Sequence, residues 1–89
     1  MGWSVEISGG ARKALRKLDR QAARSILEFL DKKVARAADP RRTGKPLTGS
    51  TLGNYWRWRV GDYRVVADIQ DRTVTVLVVR IGHRREVYR

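Results

Sequence analysis

Eighty-nine residues leave room for one domain with a single modest core, and an apolar fraction of 42% is that of a chain that folds. With no cysteine and one histidine, the chain lacks the means for a disulfide framework, a thiolate site or a His-based metal cluster, so no metal or other cofactor is expected. Twenty Lys and Arg against nine Asp and Glu give a net charge of +11, beyond the magnitude of about 2–8 that suffices to keep a small domain soluble.

The basic excess is global. Residues 1–44 carry eleven basic and five acidic side chains, and residues 45–89 carry nine and four. A folded domain this positive repels itself, which points to an anionic partner, nucleic acid first and an acidic protein second. The longest apolar run, Val74 to Val79 broken by Thr75, is too short to span a bilayer. The opening Met-Gly-Trp-Ser-Val-Glu lacks the basic and apolar regions of a signal peptide. A cytoplasmic protein with no membrane partner is expected.

In chain order, Trp3, Val5 and Ile7 alternate with Ser4 and Glu6 and predict a half-buried strand. Ser8 is placed to cap a short helix whose apolar face is Ala11, Ala14, Leu15 and Leu18. Asp19 is placed to cap a longer one, with Ala23, Ile26, Leu27, Leu30 and Val34 as its stripe and Phe29 flanking, ended by Asp39-Pro40. Two helices so closely joined make an antiparallel helical hairpin. Pro40, Gly44, Pro46, Gly49 and Gly53 mark residues 40–54 as a loop. Strands are predicted over Tyr55–Val60, Tyr63–Ile69 and Thr73–Ile81, the last apolar on both faces and therefore central. The expected fold is a single α+β domain, β-α-α-β-β-β, with the helical hairpin on one face of a small, mainly antiparallel four-stranded sheet.

The segment Tyr-Trp-Arg-Trp-Arg-Val-Gly-Asp-Tyr-Arg at 55–64 carries the functional signal. Trp56, Trp58 and Val60 alternate with Arg57 and Arg59, so the tryptophans read as core and the arginines as the open face. Gly61-Asp62 supplies a two-residue turn with Gly first, as a type II′ hairpin requires. Val60 then lies opposite Tyr63, and Arg59 opposite Arg64. Like charges across a ladder destabilise it, and a polyanion bound to that face would explain the placement. Past the last strand, Gly-His-Arg-Arg-Glu-Val-Tyr-Arg at 82–89 adds His83, Arg84, Arg85, Tyr88 and Arg89.

Guanidinium groups hold phosphate through two parallel hydrogen bonds and stack on bases, and a tyrosine stacks or moves a proton. Cleavage of RNA at a 2′-hydroxyl needs alignment, charge stabilisation and acid and base groups, but no metal. A passive binder and a ribonuclease both fit these residues.

The element order, the Lys45-Pro-Leu-Thr-Gly49 stretch, the 55–64 segment and the 82–89 tail together closely resemble the RelE/ParE toxin superfamily, most of all its RelE branch. That resemblance implies an endoribonuclease that cuts translated mRNA in the ribosomal A site without metal and is neutralised by a cognate RelB-like antitoxin, in some cases as a heterotetramer. It implies phosphate-binding or catalytic roles for Arg57, Arg59, Arg64, Arg84 and Tyr88; Arg85 and Arg89, by their place in the basic tail, are expected as further phosphate contacts. Arginine stays protonated in proteins, so Arg57 and Arg59 do not supply the general base that lysines are proposed to supply in some relatives. His83, at a basic position of the family pattern, is the alternative source of a group titrating near neutrality. The rival readings are a ParE-like inhibitor of DNA gyrase that is not a nuclease, and a plain nucleic-acid-binding domain.

Overall fold

Strand β1 (Ser4–Ile7) turns Val5 and Ile7 inward and leaves Ser4 and Glu6 exposed, as its alternation predicts. The structure, a computed structural model, describes residues 2–47 and 55–87. The Ser8 hydroxyl accepts the Ala11 N–H at 3.2 Å and starts α1 (Gly9–Lys17), whose Ala11, Ala14 and Leu15 meet the core together with Leu18. The Asp19 carboxylate accepts the Ala22 N–H at 2.6 Å and starts α2 (Arg20–Phe29). Both caps satisfy donors that the first helical turn leaves without intrahelical partners.

The second helix departs from expectation in two ways. Over Leu30–Ala35 it widens into a π-helical turn, which carries Leu30 and Val34 into the core. Leu27, expected on the inward stripe, is instead 45% exposed. Ile26, Leu30 and Val34 hold the inward row, and Leu27 is one residue round from Ile26, on the outer shoulder of the helix.

Residues 40–47, read from sequence as loop, form a 3₁₀ turn (Pro40–Thr43) and a two-residue strand β2 (Lys45–Pro46). Strands β3 (Tyr55–Val60), β4 (Tyr63–Gln70) and β5 (Thr75–His83) form the centre of a sheet that therefore has five strands, in the order β1-β5-β4-β3-β2. A strand as short as β2 has no room for alternation, and Pro46 is tolerated there because β2 is outermost. Only β1 runs parallel to its neighbour, β5. A four-residue helical turn, α3 (Arg84–Val87), follows.

Strand β5 begins and ends two residues later than the sequence suggested. A 3₁₀ turn at Asp71–Thr73 and a left-handed Val74 (φ 50°) occupy the place of its first residues. The ladder between β4 and β5 also carries a bulge: Val66 pairs with Arg80 but Ala67 with Val78. The extra residue reverses the alternation of β5. Val76 and Val78 point to the core, yet beyond the bulge it is Ile81 that is buried while Arg80 is exposed.

Candidate nucleic-acid interface

The β3–β4 hairpin builds the arginine face. Gly61 has φ 61°, and among the described residues Val74 is the only non-glycine with positive φ, so Asp62 takes a negative φ and the turn is type II′. The pairs Val60–Tyr63, Arg59–Arg64 and Arg57–Val66 follow directly from that turn. Arg57 is half-buried and Arg59 exposed, and neither forms an ion pair among the described residues. Arg64 was expected to stand on the open surface but is only 8% exposed. Its Nη1 donates to the Tyr63 carbonyl at 3.1 Å and the Gly61 carbonyl at 3.4 Å, so the turn itself holds the guanidinium. Among the described residues its side-chain partners are these carbonyls, which leaves donors of its fork available for an anion.

Register extends this face across four strands. Lys45 pairs with Arg57, Arg57 with Val66 and Val66 with Arg80, so Lys45, Arg57 and Arg80 share one row and one side of the sheet. The neighbouring row holds Arg59, Arg64 and Gly82. Toward the other end of the same side lie Glu6 and Asp68, with Leu77 between them in register. The open side is thus basic at the hairpin end and acidic at the far end.

On the covered side the tryptophans are core, as expected. Trp58 is fully buried, and its indole N–H donates to the Pro40 carbonyl and to the Thr43 hydroxyl, each at 3.1 Å. The Trp56 indole N–H donates to the Arg41 carbonyl at 3.1 Å, while the Arg41 guanidinium lies 5.9 Å from the Trp56 ring centroid. Arg41 also grips Asp71 through two parallel hydrogen bonds of 3.1 and 2.8 Å. The hydrogen bond from Arg41 holds the Asp71 carboxyl below its ordinary range, and the same bond raises the already high Arg41. Both tryptophans thereby fix the 40–43 turn against the edge of β3.

The tail returns to the hairpin. The Arg84 N–H donates to the Asp62 carbonyl at 2.9 Å, which places the start of α3 beside the Gly61-Asp62 turn, with Arg84 and Arg85 exposed. His83 pairs with Tyr63, and their rings meet edge to face at 5.9 Å and 81°. Tyr63 packs against the core, so His83 lies on the helix-covered side, away from Arg57, Arg59 and Arg64. Its Nδ1 accepts the Arg85 N–H at 3.3 Å. Tyr88 and Arg89 lie outside the described residues. Among the described residues no group of three His, Cys, Asp or Glu side chains is placed to hold a metal ion.

Sequence reasoning brought Arg57, Arg59 and Arg64 together correctly in register and missed Arg42, Lys45 and Arg80. The bulge hid Arg80, and the brevity of β2 hid Lys45.

Residues 5–88 match the family described as the ParE toxin of the type II toxin–antitoxin system parDE. The chain is 34% identical to Toxin RelG of Mycobacterium tuberculosis over 89 residues, which span 100% of this chain and 99% of the relative. The chain belongs to the RelE/ParE toxin superfamily.

Within it the RelE branch recurs. Toxin RelE of M. tuberculosis is 33% identical over 87 residues, 98% of this chain and 87% of that one. The toxin–antitoxin complex RelBE2 from M. tuberculosis contains a chain that superposes with a TM-score of 0.83 at 31% identity, covering 97% of this chain and 95% of that one. The archaeal RelE–RelB complex from Pyrococcus horikoshii OT3 gives 0.74 at 26% identity, covering 98% and 100%. The chain is therefore a RelE-like toxin of a toxin–antitoxin system, and its α+β fold is that of its RelE neighbours, with one strand more than the sequence suggested.

Proposed function

We propose that this toxin is an endoribonuclease that cuts mRNA on the translating ribosome, without a metal. The observation that supports this reading most is the paired placement of Arg59 and Arg64, with Arg57 beside them and Arg84 tied to the same turn. The reaction is attack of a 2′-hydroxyl oxygen on the adjacent phosphorus, with departure of the 5′-oxygen of the next nucleotide; the 2′-hydroxyl proton goes to solvent and the departing oxygen takes one from solvent. Negative charge builds on the phosphoryl oxygens, and guanidinium groups stabilise it there. Arg64, held by the hairpin carbonyls, and Arg59, opposite it, grip the scissile phosphate. Arg57 and Arg85 hold its neighbours, Arg84 steadies the leaving oxygen, and Tyr88 stacks on a base while Arg89 adds a backbone contact.

His83 fits a positioning role better than a direct proton transfer. Its ring sits on the covered side, where it receives the N–H of Arg85 at the first turn of α3, the segment that leads to Tyr88. A RelB-like antitoxin, the partner type in the RelE–RelB complexes, neutralises the toxin, and a heterotetramer is the assembly that the family resemblance allows.

The ParE description of the matched family keeps one rival in view, a gyrase inhibitor with no nuclease activity. Purified toxin added to translating ribosomes separates the two. Arg64→Ala and Arg84→Ala each lower the mRNA cleavage rate by about 10²–10³-fold, the loss that follows removal of a preorganised donor. Antitoxin binding persists in both. Uncut mRNA with wild-type toxin, alongside inhibited supercoiling by gyrase, supports the rival.

A further inference from the structure

At the β2 edge of the arginine face, Arg42, Thr43, Gly44, Lys45, Arg57 and Arg59 line an open cleft of about 260 Å³. Two of its four cations, Arg42 and Lys45, have no role in the phosphate contacts proposed above. We propose that this cleft is a second phosphate subsite, which binds the phosphate of a nucleotide next to the cleaved bond on the same single-stranded RNA. The proposal rests on the nuclease reading for its ligand but on its own residues for its geometry.

Three observations carry it. The first is charge without compensation. Among the described residues, Arg42, Lys45, Arg57 and Arg59 have no ion-pair partner, whereas Arg41, next in sequence to Arg42, is fully engaged with Asp71 and stacked near Trp56. Four uncompensated cations around one cleft repel one another unless an anion sits among them.

The second is rigidity. The segment that carries Arg42 and Lys45 is pinned on both sides of Arg42, by Trp58 to Pro40 and Thr43 and by Trp56 to Arg41. At Gly44 it lies flush on β3: a Cβ there would collide with the Arg57 carbonyl and come within 2.7 Å of the Trp56 ring. A preformed cleft spends little ordering entropy on binding.

The third is spacing. Lys45 is in register with Arg57, one strand from it and two residues along from the Arg59–Arg64 pair. That offset is about 5 Å across the sheet and about 7 Å along it, within the reach of one nucleotide step once side-chain length is added.

Binding of uncleavable 2′-O-methyl RNA oligonucleotides of three and six nucleotides tests the subsite across a salt series. In the wild-type toxin, lengthening from three to six strengthens binding about tenfold. Arg42→Ala/Lys45→Ala loses most of that gain, and its salt slope falls by about 0.7 for each phosphate that the variant no longer neutralises. Arg12→Ala/Arg16→Ala, which removes the same charge from the exposed face of α1, keeps the gain. Equal losses in the two double variants overturn the subsite, because net charge alone then explains them. Stronger binding of a glutamate-rich peptide than of RNA of equal charge also overturns it, in favour of an acidic protein partner. Adding the same toxin preparations to translating ribosomes and mapping mRNA cleavage keeps the two readings apart. A toxin that cuts while Arg42→Ala/Lys45→Ala matches its control refutes the subsite alone. A toxin that never cuts, yet loses the length gain with that variant, refutes the nuclease alone.

Discussion

At the scale of single residues, two backbone positions show what the fold demands. Gly44 is set by crowding, since any Cβ meets the Arg57 carbonyl and lies 2.8 Å from the Trp58 indole nitrogen. Gly44→Ala is therefore expected to destabilise the toxin by about 1–3 kcal/mol, as overpacked sites do. The change appears as a lower urea midpoint at unchanged slope. Val74 presents the opposite case, a β-branched residue in left-handed geometry with its side chain 45% exposed. Left-handed backbone costs an ordinary L-residue about 1–2 kcal/mol, and asparagine tolerates it far better. Val74→Asn should accordingly stabilise the fold by about 1 kcal/mol in thermal unfolding, since little packing is lost there. An unchanged or lower Tm would mean that Val74 packs more than its exposure indicates.

At the scale of elements, the β3–β4 hairpin trades stability for charge placement. Arg59 and Arg64 face each other across the ladder, a pairing that costs about 0.2–1 kcal/mol against a neutral or opposite pair. Arg59→Thr should raise stability by about that amount, and at the same time lower mRNA cleavage at least tenfold. A variant that gains stability and keeps full cleavage would remove Arg59 from the phosphate grip. The tie between the 40–43 turn and the β4–β5 turn has its own signature in pH. Asp71 is held below its ordinary 3.8 by the Arg41 hydrogen bond, so its contribution is present above that value and fades as pH falls through the lower folded value. Asp71 is exposed, so the effect is small and weakens with salt. Tryptophan fluorescence should report it, because Arg41 lies over Trp56. The expected transition falls below about pH 4 in the wild type and is missing in Asp71→Asn. The same transition in both would assign it to other carboxylates.

Across the whole molecule, the sequence made most of the scaffold readable and the edge of the site unreadable, for definite reasons. Ser8 and Asp19 announced both helix starts because a cap is local chemistry, and Gly61-Asp62 announced the hairpin because its turn type fixes the register. Leu27 deceived, since a 3.6-residue period does not tell how wide the covered stripe is, and among the described residues the shoulder beside Ile26 is left exposed. Arg80 was hidden by one bulge residue that reverses a strand's alternation, and Lys45 by a strand of two residues at the sheet edge. The outcome is a sheet whose open side is divided, with Lys45, Arg57, Arg59, Arg64 and Arg80 toward the hairpin and Glu6 and Asp68 at the far end. Such a division makes the hairpin half the more attractive one for a polyanion and gives the global charge of +11 a direction.

The central claim is that this half of the sheet cuts mRNA during translation. The most direct measurement maps mRNA 5′ ends genome-wide in growing cells shortly after the toxin is induced without its antitoxin, for the wild type and for Arg64→Ala. New 5′ ends inside translated codons, absent from untranslated regions and from the Arg64→Ala cells, are the predicted result. Intact mRNA in cells whose replication has stopped, with wild type and Arg64→Ala alike, would contradict it.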